Sequence, residues 1–350
     1  MKIAVGLSGG VDSTLVALLL KEQGHEVIGI TMSLFNKDIP NLQLSGNACY
    51  GSNEKAEIQE VQKWCQSQGI EHHVLNLSEI YQKTVLKYFK ESYLSGKTPN
   101  PCIMCNATMK FGLLVEEAKK HADFEAFATG HYARIEKTAD GFFLKKGADD
   151  KKDQSYFLYR LTQTQLSQTL FPLGDFTKQQ VREMAKEKGL YVAEKADSQD
   201  FYSGDYADLL QVENKQGNII LANGKVVGKH QGFWHYTVGQ RKGLGVAYPE
   251  PLYVLDLDAE KNQVIVGVEA DTKRTSCKIT DCVWSPLVKD QTQFSCEAKY
   301  RSMGQVVPVS VSVANNEAEI QFETPQKSLT PGQSIVLYQN DIVLGGGIIK

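Results

Sequence analysis

The chain has 350 residues, 42% of them hydrophobic and 23% charged, and a formal net charge of −3. That length exceeds one ordinary core and predicts two or three domains. The near-neutral charge excludes a globally basic nucleic-acid binder, though a local basic patch can still hold RNA. No apolar run reaches the roughly 20 residues that cross a bilayer, and MKIAVGLSGGVDS meets Gly and Asp too early for a signal peptide. The expectation is a cytoplasmic protein with no membrane partner, whose seven cysteines stay reduced.

Residues 2–7 read as a buried strand, followed by a glycine turn and a helix carrying Leu15, Val16, Leu18 and Leu19. Residues 25–32 form the next strand, 54–68 a helix, 71–77 a strand and 79–94 a helix. Asn106 is expected to cap a helix running to about residue 121, before a strand at 125–129. This alternation predicts an α/β fold with a doubly wound, mostly parallel sheet whose ligands sit at the C-terminal ends of the strands. After about Tyr206 the pattern changes to short β-like runs separated by turns such as Asn223-Gly224 and Pro331-Gly332. Period-two alternation at 306–313 predicts a small antiparallel barrel or sandwich at the C-terminus.

The first chemical motif is Gly6-Leu7-Ser8-Gly9-Gly10-Val11-Asp12-Ser13, between a strand and a helix. Gly9 and Gly10 allow a tight turn that presents backbone amides, and the helix N-terminus adds partial positive charge, so the loop suits phosphate. Ser8 and Ser13 can donate hydroxyl hydrogen bonds. Asp12 would repel phosphate directly, so its expected role runs through Mg²⁺. This loop lacks the Gly-Lys-Ser/Thr ending of the P-loop of kinases and GTPases, which excludes that class here. SGGVDS resembles the PP-loop of ATP pyrophosphatases, in which ATP adenylates a substrate oxygen and pyrophosphate leaves. The resemblance implies that adenine lies near Met32 and the backbone at Gly130.

The second motif is Thr98-Pro99-Asn100-Pro101-Cys102-Ile103-Met104-Cys105-Asn106. The prolines enforce an extended approach, and the expected helix start at Asn106 puts Cys105 beside a helix N-terminus, which favours thiolate. A thiolate there can carry sulfur or bind a metal. Cys277 and Cys282 lie in the β-rich part, with spacing that does not suit a shared zinc site.

TPNPCIMCN resembles a segment of the bacterial tRNA-uridine 2-sulfurtransferases, the 2-thiouridylases of the wobble position. So do Ala128-Thr129-Gly130-His131-Tyr132, the run from Lys152-Asp153-Gln154 to Leu158, the run from His235 to Gly245, and Pro331-Gly332-Gln333-Ser334 with residues 344–349. The resemblance spans nearly the whole chain. It implies a PP-loop catalytic domain at 1–206, a central tRNA-contacting domain at 207–270 and a β-barrel at 271–350. It implies ATP with Mg²⁺ as cosubstrate, and a tRNA wobble uridine as target, its base placed by Asn100, Pro101 and Cys102. Catalytic roles fall on Cys105, Cys102 and Asp12. RNA contacts fall on His131, Lys152, Asp153, Gln154, Gln240, Arg241, Tyr300, Arg301 and Gln333. Lys and Arg would neutralise phosphates, while His and Tyr can stack on bases. The sulfur donor would be a carrier protein, a cysteine desulfurase or sulfide, and the enzyme a monomer or weak dimer.

Two departures stand out. Cys102 replaces the family's Asp, and Tyr202 stands where a second catalytic cysteine belongs. One account is a local mechanism in which Cys102 releases sulfur from a Cys105 persulfide. The other, by analogy with related PP-loop thiolation enzymes, is a 4Fe-4S cluster on Cys102, Cys105 and a remote cysteine, for which Cys49 is the candidate. Competing readings are a PP-loop ligase that transfers nitrogen and a non-catalytic RNA-binding module. The cysteine pair argues against the first, and intact Ser8, Asp12 and Ser13 argue against the second. RNA-dependent exchange of pyrophosphate into ATP separates all three.

Overall fold

The computed structural model describes residues 1–35, 54–197, 201–202 and 206–350. The chain divides into two compact units. Met1–Val85, Cys102–Asp205 and Asp341–Val343 form one, and Leu86–Pro101, Tyr206–Asn340 and Leu344–Lys350 form the other.

The first unit is built on β1 (Lys2–Gly6), α1 (Val11–Glu22), β2 (Glu26–Ser33), α2 (Glu54–Gln68), β3 (Glu71–Asn76) and β4 (Ala126–Ala128). These strands and Thr169–Leu170 form a five-stranded sheet in the order β3, β2, β1, β4, Thr169–Leu170, with every pairing parallel. The doubly wound sheet expected from the alternation is therefore present. β1 lies inside it, and Ile3, Ala4 and Val5 are fully buried, as a strand covered on both faces requires. α1 packs Leu15, Val16 and Ala17 into the same core. The sequence reading missed one hairpin here, Ala133–Thr138 with Gly141–Lys146.

The cysteine helix differs from expectation. It begins at Pro101, not Asn106: Pro101–Met104 runs into a wide π-helical stretch, Cys105–Leu113, and then Leu114–Ala118. Proline suits the first helical position, where its missing N–H would have no partner anyway. Asn106 lies inside the helix, 5% exposed, and its Nδ2 donates to the Phe157 carbonyl at 3.2 Å. A polar side chain of capping type is thus held by the tertiary structure.

The second unit contains a four-stranded sheet, in the order Tyr253–Asp258, Gln263–Gly267, Gly217–Leu221, Val226–His230. Its other β element is a barrel of antiparallel pairings: Lys273–Trp284 pairs with Glu317–Lys327, which continues through Val307–Ala314, Gln293–Lys299, Ser334–Gln339 and the last strand, Ile342–Ile349. Ile279 pairs back to Ile349, which closes the ring and leaves no long edge exposed. Val309, Val311, Ile320 and Leu337 fill it from alternate positions. No helix among the described residues is long and apolar enough to cross a membrane.

Candidate nucleotide loop and cysteine helix

The Ser8–Ser13 loop leaves the C-terminal end of β1, where open parallel sheets bind ligands. Gly9 has φ +73°, a conformation that favours glycine, and Gly10 is the extended residue before α1. Ser13 Oγ accepts from the Ser8 amide at 3.2 Å and lies 3.3 Å from Ser8 Oγ. Thr14 Oγ1 donates to the Gly10 carbonyl at 2.9 Å. The loop is therefore shaped by its own hydroxyls. Met32 stands at the adjacent end of β2, half-buried. Gly130 follows β4 and lies so close to α1 that an added Cβ would sit 2.8 Å from Asp12 Cβ and 2.9 Å from the Ser13 amide.

Asp12 lies in a network the sequence reading did not foresee. Lys178 Nζ donates to both its carboxylate oxygens at 2.8 Å, and the Tyr132 hydroxyl donates to Oδ1 at 2.8 Å. Burial, then the Asp12 charge, hold the Tyr132 phenol far above its ordinary pKa, so it remains a donor. Lys178 also reaches Asp197 at 2.8 Å, which Lys152 meets at 2.8 Å and Arg182 at 3.2 Å. Burial alone would raise the Asp197 carboxyl, but the hydrogen bonds from Lys152 and Lys178 overrule it and bring it down to about 2. Lys195 Nζ donates to the Gly9 carbonyl at 3.1 Å and to Glu57 at 2.8 Å. One signal for Lys178 was available. It is the first residue of helix Lys178–Glu187, where the dipole disfavours a cation, so an opposing partner was implied. This donor set does not fit a resident Mg²⁺, because Asp12 is already occupied by a lysine and a phenol. Among the described residues no group of three His, Cys, Asp or Glu side chains could hold a metal ion.

Cys102 lies in the first turn of its helix and Cys105 one turn on, both half-buried. Residues three apart share a helix face, with Cβ atoms about 5–6 Å apart. Two thiols are one short of the three the expected cluster requires, and Cys49 lies outside the described residues. Three of the four other described cysteines are shielded by burial. Burial pushes the thiols of Cys65, Cys277 and Cys296 up to about 12, which leaves them protonated and inert. Tyr202, where the resemblance leads one to expect a second cysteine, is a large ring 1% exposed.

Comparison with known proteins places the chain. Residues 1–203 match the family described as tRNA methyl transferase HUP domain, 209–268 its PRC-barrel domain, and 274–349 the aminomethyltransferase beta-barrel domain. The tRNA-specific 2-thiouridylase MnmA of Endomicrobium trichonymphae is 46% identical over 358 residues, covering 100% of this chain and 99% of that protein. The 2-thiouridylase of Geobacter metallireducens is 43% identical, covering 99% of this chain and 96% of its own, and that of Gloeothece citriformis 42%, covering 100% and 99%. The chain belongs to the tRNA-specific 2-thiouridylase family.

The residues that resemblance to the 2-thiouridylases assigned to RNA divide by what they touch here. Arg241 is exposed beside a cleft of about 660 Å³ also lined by Leu244, Tyr248 and Leu252. Gln240 shapes that loop, accepting from the Thr237 amide at 3.0 Å and donating to the Lys242 carbonyl at 2.9 Å. Arg301 is exposed, with one guanidinium nitrogen 2.8 Å from the Ser328 carbonyl, and the Tyr300 hydroxyl donates to Gln326 at 3.0 Å. Lys152 is turned to Asp197. Asp153 accepts from the amides of Gly147 and Ser155 at 3.1 and 3.0 Å, and Gln154 accepts from the Tyr132 amide at 2.9 Å. Gln154 thus holds the backbone from which Tyr132 reaches Asp12. His131 packs between Phe111 and Phe171, and burial, then Lys110, hold its imidazole well below its ordinary pKa, hence neutral. Gln333 donates to the backbone of Thr98 and Pro99.

Proposed function

We propose that this chain uses ATP to convert a tRNA uridine into 2-thiouridine. The observation that carries the reading is the Ser8–Ser13 loop, folded by its own hydroxyls at the C-terminal edge of a parallel sheet. Its amides suit the phosphates of ATP, and Met32 and Gly130 border the same edge, where adenine is expected. ATP is the substrate of the first step. Uracil O2 attacks the α-phosphorus, pyrophosphate leaves, and C2 becomes attached to an adenylate leaving group. Mg²⁺ enters with the nucleotide as counterion of its phosphates.

The second step falls to the cysteine helix. The outer sulfur of a Cys105 persulfide attacks C2, and AMP leaves. The Cys102 thiolate then attacks Cys105 Sγ, breaking the sulfur–sulfur bond and leaving sulfur on the uridine. A Cys102–Cys105 disulfide forms, and a thiol reductant restores both thiols. This arrangement suits a chain in which Tyr202 removes the distant cysteine. Sulfur reaches Cys105 as the outer sulfur of a persulfide on a carrier protein or a desulfurase, whose own thiolate leaves. Sulfide serves only by attacking Cys105 Sγ of the Cys102–Cys105 disulfide left by a previous turnover, which forms the persulfide and releases the Cys102 thiolate. The target is the wobble uridine, the compartment the cytoplasm, and the enzyme a monomer or weak dimer. A cluster in place of the persulfide requires Cys49 as third thiolate.

The test is pyrophosphate exchange into ATP with and without tRNA, followed by nucleoside analysis of the tRNA. RNA-dependent exchange with 2-thiouridine formed supports the reading. RNA-independent exchange, or ammonia incorporation, supports a nitrogen-transferring ligase. Iron in anaerobically purified protein, lost in Cys49→Ser, supports the cluster, whereas iron-free protein that thiolates tRNA leaves the persulfide.

A further inference from the structure

Gly9, in the nucleotide loop, is held by two residues far from it in sequence. Lys195 Nζ donates to the Gly9 carbonyl at 3.1 Å, and the same ammonium donates to Glu57 Oε1 at 2.8 Å. Glu57 belongs to α2, whose first two turns also meet Gly9. A Cβ on Gly9 would lie 3.3 Å from Val61 Cγ2 and 3.8 Å from Glu57 Cβ. The Lys195 side chain is 25% exposed, so its bond to the carbonyl is partly shielded from water. The other lysine at the loop is engaged differently, since Lys178 meets the carboxylates of Asp12 and Asp197.

The peptide that Lys195 holds joins two glycines, Gly9 at φ +73° and Gly10 at φ −94° and ψ 164°. Turning this peptide plane over changes Gly9 ψ and Gly10 φ together. Glycine accepts either sign of φ, so no side chain of either residue opposes a flip. The next peptide is already fixed, because Thr14 N–H and Thr14 Oγ1 both donate to the Gly10 carbonyl, at 3.2 and 2.9 Å. A trans peptide carries its C=O and N–H on opposite edges. With the Gly9 carbonyl tied to Lys195, the Gly10 N–H points away from the ammonium, and it has no partner among the described residues. A flip would put a carbonyl oxygen where this N–H stands, at the head of α1, and an oxygen there would repel phosphate.

We propose that Lys195, oriented by Glu57, is a positioning residue for the phosphates of ATP. It locks the Gly9–Gly10 peptide with its N–H available to the nucleotide, and it acts through the backbone without touching ATP. The proposal rests on the ATP-dependent reading above and deepens it.

The experiment compares the wild type with Lys195→Met, which removes the donors, and with Glu57→Ala, which frees the ammonium from its second partner. Three quantities are read: Kd for ATP, Kd for adenosine, and the Gly10 amide signal in nucleotide-free protein carrying isotope-labelled glycine. Gly10 is one of three glycines that directly follow another glycine, so a carbonyl-to-amide correlation isolates it. Losing one amide donor to a charged phosphate weakens binding about tenfold or more. ATP affinity should fall by that factor in Lys195→Met, with adenosine affinity within about twofold. The Gly10 amide, a single signal in the wild type, should broaden or double. Glu57→Ala should move the same signal in the same direction, with a smaller loss of ATP affinity. An unchanged Gly10 amide beside a lost ATP affinity would overturn the lock and make Lys195 a direct phosphate ligand. Unchanged ATP affinity, or equal losses for ATP and adenosine, would overturn it as well. Should Lys195→Met fail to fold, the Gly10 amide in Glu57→Ala decides. If the wild type binds no ATP, the nucleotide reading falls, yet the Gly10 amide still decides the lock because it is read without nucleotide.

Discussion

Lys178 Nζ lies 2.8 Å from each carboxylate oxygen of Asp12, and the lysine is only 8% exposed. A buried ammonium thus neutralises the one acid in the nucleotide loop and links it to Asp197. With Asp12 neutralised, the loop's amides and the α1 dipole face an incoming phosphate without a bare carboxylate beside them.

Lys178→Met should therefore damage the ATP step first. It leaves Asp12 and Asp197 without their shared cation, and removing one partner of a part-buried pair costs about 2–3 kcal/mol. ATP affinity should fall at least tenfold, with tRNA affinity nearly unchanged. Denaturant melts and calorimetric titration of each ligand check this, and normal ATP binding would count against the network's role.

Acid stability should carry the signature of Asp197. Its folded pKa is depressed to about 2 from an ordinary 3.8, so its contribution is present above pH 3.8 and is lost as pH falls toward 2. Lys152, which holds it, is 42% exposed, so solvent screening reduces the contribution to about 1–2 kcal/mol. Asp197→Asn should flatten the stability curve between about pH 4 and pH 2. Unfolding titrations across that window test it, and an unaltered slope would assign the acid limb elsewhere.

Gly130→Ala should disturb α1 by crowding its first turn. The new methyl would lie 2.8 Å from Asp12 Cβ and 2.9 Å from the Ser13 amide, so the first turn must move. Such overpacking costs about 1–3 kcal/mol. ATP affinity should fall with it, whereas Gly24→Ala, strained by φ +83° but with open space around it, should lower stability and leave ATP binding intact. Equal effects from both would show that the close approach has no functional weight.

Salt dependence should separate the exposed arginine from the occupied polar groups. Arg241→Ala should weaken tRNA binding and reduce the salt slope by about one. Gln154→Ala should leave the slope unchanged and lower stability, since Gln154 binds the Tyr132 backbone. Binding measured from low to high salt distinguishes the two residues.

Thiol chemistry should follow burial. Cys65, Cys277 and Cys296, pushed up to about 12, should resist alkylation in the folded protein at pH 8, and Cys65→Ser should retain thiolation. Cys105→Ser should abolish it. Activity in Cys105→Ser would remove this thiol from the mechanism.

The strand–loop–helix with SGGVDS and the cysteine pair were legible from local sequence alone. Glycine conformation, proline geometry and hydrophobic period are short-range properties, and a helix N-terminus acts within one turn. The parallel sheet followed for the same reason, from strands alternating with helices. The helix start was misread because Asn106 carries capping chemistry, yet the Phe157 carbonyl takes that side chain and Pro101 begins the helix. What the tertiary structure decided were the partners: Lys178 for Asp12, Lys152 for Asp197, and Gln333 for the backbone of Thr98. These residues are separated by 166, 45 and 235 positions. A lysine or glutamine side chain carries the same donors wherever it stands, so no local pattern marks its acceptor, and only the packing of distant segments brings the two within hydrogen-bond reach.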